Sequence, residues 1–549
     1  MIGLNKIGLN QVQLNRLRLN APFPAYGKMA GGGGSGDGFP QLPGDVTRWH
    51  FGGLTNEMMA AMDDPRLEDA DGKGRFLSFK NFAWKGMSGV GGYGDENYQT
   101  FYKFTLDDYV FIASPPSVKH MNFTFRVTGL RPGNKLTLAF FGTTNTVYGT
   151  WDKDGIYTVD ADIVEAGKPT YFYNGYGATR GEFTIEILPL YPGALVFDGV
   201  DDYGVCNNFP ILTKEKGYTV VALRQWIEEK NDSTALVSNC KNWGQNGAFL
   251  FEYNNLRINF LNVAISFGYV SSVDRGKSPF SYQTSKLYNG KNIEPGSLIG
   301  SNELIVGKGN KDFPTFSKAA IWELVFLDHD ATEEELTKIK DYFVKTYPWL
   351  FPDQAWTVVG KTNEDEDRAT IANITSNGND LVLSNFGFIE GSGYNEEGEY
   401  AGYLVTDGVD DKIVSSVFGM GKDFTIVGEW KFIDNKKSGT GLVKGSSFYI
   451  YNTMIGLDLY INSGSVKNSL DGIKSINAAC SDGRAYDRNW NEILANTGNV
   501  VGSGGILEVS SSGGRFDRIA FKNLAIYPRI LSKDDCIKAY NYLQTLKAK

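Results

Sequence analysis

Histidine is the scarcest chemistry-bearing residue in this chain: three among 549, at His50, His120 and His329, far apart in sequence. That scarcity argues against a histidine-rich metal centre and against a histidine-centred nucleophilic triad. Four cysteines, Cys206, Cys240, Cys480 and Cys536, show no Cys-x-x-Cys spacing and build no disulfide framework, so they read as free, buried thiols. Basic charge is lacking as well. The chain has 54 Lys and Arg against 63 Asp and Glu, a formal charge of −9, which leaves no surface to neutralise phosphates and excludes nucleic acid as a partner. No apolar run approaches the roughly 18 residues of a membrane span, so membrane insertion is not expected. The first residues also lack the basic segment and apolar core of a secretory signal. The expectation is a product made in a cytosol that stays there or leaves by another route.

Glycine, by contrast, is abundant at 65 residues, and 13% of the chain is aromatic while proline stops at 18. Many glycines and aromatics with little proline suit short strands and tight turns, hence an all-β chain of three to four domains at about 150 residues each. Internal repeats set the organisation. ALVFDGVDDYGV (194–205) recurs as YLVTDGVDDKIV (403–414), KGYTVVA (216–222) as KDFTIVG (422–428), and AIWELVFLDHDATEEEL (320–336) as AFKNLAIYPRILSKDDC (520–536). Three anchors in one order mean a duplicated domain. Alternation at Tyr218, Val220, Ala222 and at Phe424, Ile426, Gly428 has the period of half-buried strands. Each copy closes on a capped helix: Thr332 with Glu335 ahead of Leu336, Ile339 and Phe343, and Ser532 with Asp535 ahead of Ile537, Tyr540 and Leu543.

A weaker repeat precedes each copy. TNE at 55–57 leads to NFAW at 81–84, and TNE at 362–364 leads to NFGF at 385–388, which reads as a small entry element used twice. Between them, residues 122–130, a Pro-Gly turn and 135–142 read as a hairpin of a third, unrelated β-sandwich. The organisation is therefore an apolar arm over 1–20, a glycine-rich tether over 21–38, an entry element over 39–99, a β-sandwich over 100–193, a first duplicated domain over 194–352, a second entry element over 353–400 and a second duplicated domain over 401–549.

The arm consists of four pentads, MIGLN, KIGLN, QVQLN and RLRLN, with apolar side chains at Ile2, Leu4, Ile7, Leu9, Val12, Leu14, Leu17 and Leu19. Twenty residues cannot bury these by themselves, so the arm needs neighbouring chains or must pack back on its own first domain. The run GGGGSGDG (31–38) frees it to dock independently.

The FDGVDDY opening, the helix-capped close and the length of each copy resemble the concanavalin A-like (laminin-G, pentraxin) jelly-roll family. Residues 360–386 together with the glycine-tethered arm resemble virion fibre proteins of crAss-like and related Bacteroides-infecting bacteriophages. The first resemblance implies two jelly-roll sandwiches whose concave sides or rim loops bind glycans. The second implies an appendage, a head or tail fibre at the virion surface, made in the host cytoplasm. In that reading the arm anchors it to capsid or tail proteins, the chain forms a homotrimer, and the sandwiches adhere to host-cell glycans. A purely structural connector and a polysaccharide depolymerase remain the alternatives. No E-x-D-x-x-E strand of a retaining glycosidase is present, so a non-enzymatic role is expected.

Two sets of residues are candidates for binding. Trp243, Tyr253, Tyr288, Tyr451 and Trp490, in presumed loops, would stack on sugar rings, or else fill cores as most aromatics do. Asp198, Asp201, Asp202 and their repeats Asp407, Asp410, Asp411 offer hard oxygen ligands for calcium. Asp-Gly followed by Asp-Asp is equally good turn chemistry, and on that reading no metal or other cofactor is needed.

Overall fold

A computed structural model describes residues 38–548. Stretches outside the description are 1–37, 94–100, 105–108, 113–119, 131–132, 141–145, 163–169, 175–182, 229–233, 240–248, 253–277, 293–299, 310–314, 434–439, 446–447, 453–455, 462–468, 472–475, 495–503, 513–514 and single residues 214, 376, 417, 420, 506, 510, 517 and 549. The arm, nearly all of the tether, Trp243, Tyr253 and Cys240 thus lie outside the described residues.

The described part is built from antiparallel sheets, as an all-β chain requires, and each duplicated copy is a two-sheet sandwich. In the first copy, Thr219–Glu228 and Lys318–Leu327 run side by side at the centre of an eight-stranded sheet. Along the other edge of Lys318–Leu327, two strands pair end to end: Val46–His50 against its C-terminal half and Leu195–Asp198 against its N-terminal half. The facing six-stranded sheet pairs Phe76–Lys80 with Tyr203–Cys206. The second copy repeats the plan, with Gln354–Thr357 and Tyr403–Val405 end to end along Ile519–Tyr527, and Leu381–Ser384 beside Lys412–Ser415.

This pairing corrects the reading of two separate entry elements. Residues 39–92 and 353–400 supply integral strands to both sheets of the sandwich that follows each, and without them the C-terminal halves of the edges of Lys318–Leu327 and Ile519–Tyr527 would be left open. The linear order of domains is corrected too. Gly89–Val90 pairs with Leu195–Asp198, so the sandwich between them is an insertion into the first copy. In the second copy only residues 396–402 join the corresponding strands Gly393–Asn395 and Tyr403–Val405.

The insertion is entered and left through a neck of backbone hydrogen bonds: Gly91 N–H to the Ala194 carbonyl at 2.8 Å, Tyr191 N–H to Gly91 at 2.7 Å, and Leu190 N–H to Gly92 at 2.8 Å. Gly91 and Gly92 have φ of 86° and 57°, and a Cβ on Gly92 would meet the Tyr191 ring at 2.8 Å, so side chains are excluded there on two counts. Gly91 and Gly92 thus make a neck. Within the insertion, His120–Thr128 and Leu136–Phe140 belong to different four-stranded sheets, which corrects the expected hairpin. The chain therefore crosses the sandwich between these two strands, because Phe123, Phe125 and Val127 face the same core as Leu136 and Leu138.

The closing helices stand where the caps placed them, at Glu333–Thr346 and Lys533–Gln544. Thr332 Oγ1 accepts from Glu335 N–H while the Glu335 carboxylate accepts from Thr332 N–H at 2.8 Å, and Ser532 Oγ accepts from Asp535 N–H at 3.1 Å. Leu336, Ile339 and Phe343, and Ile537, Tyr540 and Leu543, are buried beneath them. These helices explain why the central strands are buried on both faces and not half-buried. Val220, Ala222, Ile321 and Leu324 face the sandwich interior, while Val221, Leu223, Trp322 and Val325 face outward into a second core. That second core is shared: Trp322, Phe343 and Tyr347 of the first copy pack with Tyr527, Tyr540 and Tyr542 of the second. The copies are thus joined by the helix-covered backs of their sheets.

Candidate functional site

The repeated aspartates sit on one structural device, built twice. Asp198 closes a turn by accepting from Val200 N–H at 2.7 Å, and Asp407 does the same with Val409 N–H at 2.7 Å. Gly199 and Gly408 supply φ of 78° and 74°. Beneath each turn a fully buried carboxyl takes two donors. Asp202 accepts from Ser88 Oγ at 2.9 Å and Asp198 N–H at 3.1 Å, and Asp411 from Ser392 Oγ at 3.1 Å and Asp407 N–H at 2.8 Å. Those serines accept in turn from Ala83 N–H and Gly387 N–H.

The weak repeat belongs to the same device. Asn81 and Asn385, at φ of 67° and 68°, donate to the carbonyls of Asp201 and Asp410. Asn56 and Asn363, from the two TNE motifs, each clip a strand by accepting from and donating to one residue, Val90 or Tyr394. Burial, reinforced by the Asp198 charge, pushes the Asp202 carboxyl up to about 7, and burial pushes Asp411 up to about 6. Each trio does bring carboxylate oxygens within 4.8 Å of one another. The amide and hydroxyl donors aimed at the buried member of each trio are what a turn lock needs.

The aromatic candidates fall elsewhere. Tyr288 is 1% exposed, and its hydroxyl donates to Glu252 inside the first sandwich. Trp490 is fully buried, edge-on to Tyr540 at 5.6 Å, holding the last helix to its sheet. Neither ring face is open to a sugar, a correction to the loop reading: both are large planar side chains that complete cores. Tyr451 lies in the strand Phe448–Asn452.

What the sequence left invisible is a cleft of about 510 Å³ where the two copies meet. Its walls come from the end of Thr219–Glu228, the first closing helix, residues 350–353, Ile374, Thr375 and Asn377, and the chain on both sides of the last helix. Gln225 Nε2 donates to Thr545 Oγ1 at 3.0 Å, and Arg529 Nη1 to the Val344 carbonyl at 3.1 Å, so both seams of the cleft are hydrogen-bonded. Underneath lies a buried ion pair. The Arg224 guanidinium clasps Glu252 and donates to the Ser278 carbonyl at 2.6 Å, and Trp226 Nε1 donates to Glu252 at 2.7 Å. Burial alone would raise the Glu252 carboxyl, but the adjacent guanidinium outweighs it and holds it below the usual range.

The cations lining the cleft are Lys340, Arg529 and Lys547 besides the paired Arg224, and its carboxylates are Glu228 and Asp353. Glu228 pairs with Lys318 at 3.5 Å, and Asp353 accepts from Asn377 at 2.7 Å and Gln354 at 3.2 Å. Arg529 is half-buried with no carboxylate partner among the described residues, and burial holds its pKa below the ordinary arginine value.

No protein-family model and no curated protein matches the chain. Among solved structures, Trypanosoma rangeli sialidase aligns at 9% identity over 75% of this chain and 66% of that one, with a TM-score of 0.26. The same sialidase in complex with sialic acid aligns at 9% identity over 86% and 82%, with a TM-score of 0.27. The botulinum neurotoxin serotype D binding domain aligns at 9% identity over 63% and 89%, with a TM-score of 0.23.

Proposed function

We propose that the protein is a virion appendage of a bacteriophage whose paired sandwiches adhere to glycans on the host-cell surface without cleaving them. The observation that carries the adhesion reading is the cleft between the two copies. About 510 Å³ is the size of a small-molecule or saccharide site, and a domain boundary is where such sites concentrate. Polar groups at Thr375 and Asn377 and the part-exposed ring of Phe351 give it the mixed lining that a sugar needs. Its two carboxylates are engaged by Lys318 and by Asn377 and Gln354, which favours binding over acid-base chemistry.

The virion reading is supported by the apolar pentads of residues 1–20, the glycine tether and the resemblance over 360–386. On this reading the arm seats in capsid or tail proteins, and the chain assembles as a homotrimer at the virion surface after synthesis in the host cytoplasm. Several weak glycan sites on one particle then add up to firm attachment. Two experiments with the full-length chain test the halves separately. Immunolabelling of purified virions should decorate the particle surface, and free protein should compete with virions for adsorption to Bacteroides cells. Unlabelled virions would remove the appendage reading, and undiminished adsorption at saturating protein would remove the adhesion reading.

A further inference from the structure

We propose that the cleft between the two sandwich copies recognises an anionic saccharide, with Arg529 meeting its carboxylate or sulfate group. The inference rests on the adhesion reading and names the ligand class for it. A guanidinium carries five N–H donors in a planar fork, and that of Arg529 commits Nη1 to a neutral carbonyl, Val344 O, with no ion pair among the described residues. Holding a cation half out of water against a neutral acceptor costs free energy that an anion brought into the cleft offsets.

The other arginine of the same cleft makes the contrast. Arg224 is fully buried and is matched by Glu252, as a structural guanidinium should be. Arg529 has no such match, although it stands on the segment between the last strand and the last helix, fixed from both sides. Lys340 and Lys547, both exposed, add positive charge at the walls, and neither forms an ion pair among the described residues. Of the two lining carboxylates, Glu228 is paired with Lys318, which leaves Asp353, hydrogen-bonded to neutral amides, as the one negative charge set against them. The chain carries −9 overall, whereas among the described lining residues Lys340, Arg529 and Lys547 face the single carboxylate Asp353 that has no cationic partner, so the cleft is positive against its average surface. Trp226, buried at the floor with its indole N–H on Glu252, places one of the chain's ten tryptophans against the cleft.

Calorimetric and tryptophan-fluorescence titrations of the full-length chain decide the matter, with hexagalacturonate as the carboxylate probe, a sulfated hexasaccharide as the sulfate probe and maltohexaose as the neutral control. Binding of at least one anionic probe is expected, at least tenfold tighter than maltohexaose and weakening as salt is raised. Arg529→Gln should weaken it about tenfold or more, and the double variant Lys340→Gln, Lys547→Gln, whose side chains are exposed and hold no seam of the cleft, by about two- to fivefold. The melting temperature of the lysine double variant should stay within a degree or two of the parent, and that of Arg529→Gln, which also gives up the seam bond to Val344, should fall by no more than a few degrees. Anionic binding unchanged in Arg529→Gln, or equal affinity for the neutral probe, would overturn the proposal. If the chain competes for adsorption to cells yet binds no anionic probe, the cleft assignment fails and adhesion stands; if it does neither, both fail.

Discussion

Replacing Asp202 and Asp411 together by asparagine should remove a defined part of the pH dependence of stability. Each carboxyl is fully buried and takes a serine hydroxyl and a backbone N–H. Burial raises them from 3.8 to about 7 and about 6. In the unfolded chain both ionise near 3.8, so between that pH and the folded values the native state holds more protons than the unfolded one. Stability from these groups is therefore complete below pH 4 and is lost as pH rises through 6 to 7. Carboxyls raised from 3.8 to about 7 and about 6 correspond to ceilings of about 4 and 3 kcal/mol, and screening at a rim beside the exposed Asp201 and Asp410 reduces these to about 2 and 1.5 kcal/mol. Asparagine keeps the acceptor for the turn amide and can turn its NH₂ to the serine oxygen, which retains a free lone pair. Calorimetric melting at pH 5 and pH 8 should show the parent losing roughly 5 °C more than the double variant across that interval. An identical pH dependence in the two proteins, or a parent that gains stability relative to the variant as pH rises, would refute the reasoning.

Three further outcomes are expected. Glu252→Gln leaves the Arg224 guanidinium buried without its counter-charge and should cost about 3–5 kcal/mol, seen in denaturant titration. Gly92→Ala should destabilise the neck by about 1–3 kcal/mol, because φ is positive and the new methyl meets Tyr191; limited proteolysis should then free the inserted sandwich faster than in the parent. Millimolar calcium should move the melting temperature by less than a degree; a rise of several degrees that disappears in the Asp202→Asn, Asp411→Asn variant would reassign the aspartate trios to metal.

Sequence periodicity and repeats were enough to read the sandwiches and their closing helices, since alternation and capping are local signals that survive in one dimension. Thr332 with Glu335 and Ser532 with Asp535 stand at their helix starts as read. Nesting was not legible. The neck that closes the insertion joins Gly91 to Ala194 across a hundred residues, and nothing local in either segment announces that pairing. The aspartate repeat was visible, and a clue to its role lay in the weaker repeat: Asn56, Asn81 and Ser88 recur as Asn363, Asn385 and Ser392, the very partners that lock the turn and its strand. Aromatic candidates misled because exposure is a tertiary property; Tyr288 and Trp490 lie in apparent loops of sequence but in cores of the fold. The cleft had no signature at all, its cations coming from positions 340, 529 and 547 on separate segments.

The central claim is adhesion without cleavage, and the most direct test is a binding isotherm of the full-length chain on immobilised host polysaccharide, with reducing ends quantified in the same vessel. Saturable binding with no rise in reducing ends over many hours is the predicted result. Absence of binding by the folded chain would contradict the claim, and so would a steady release of reducing ends proportional to protein concentration.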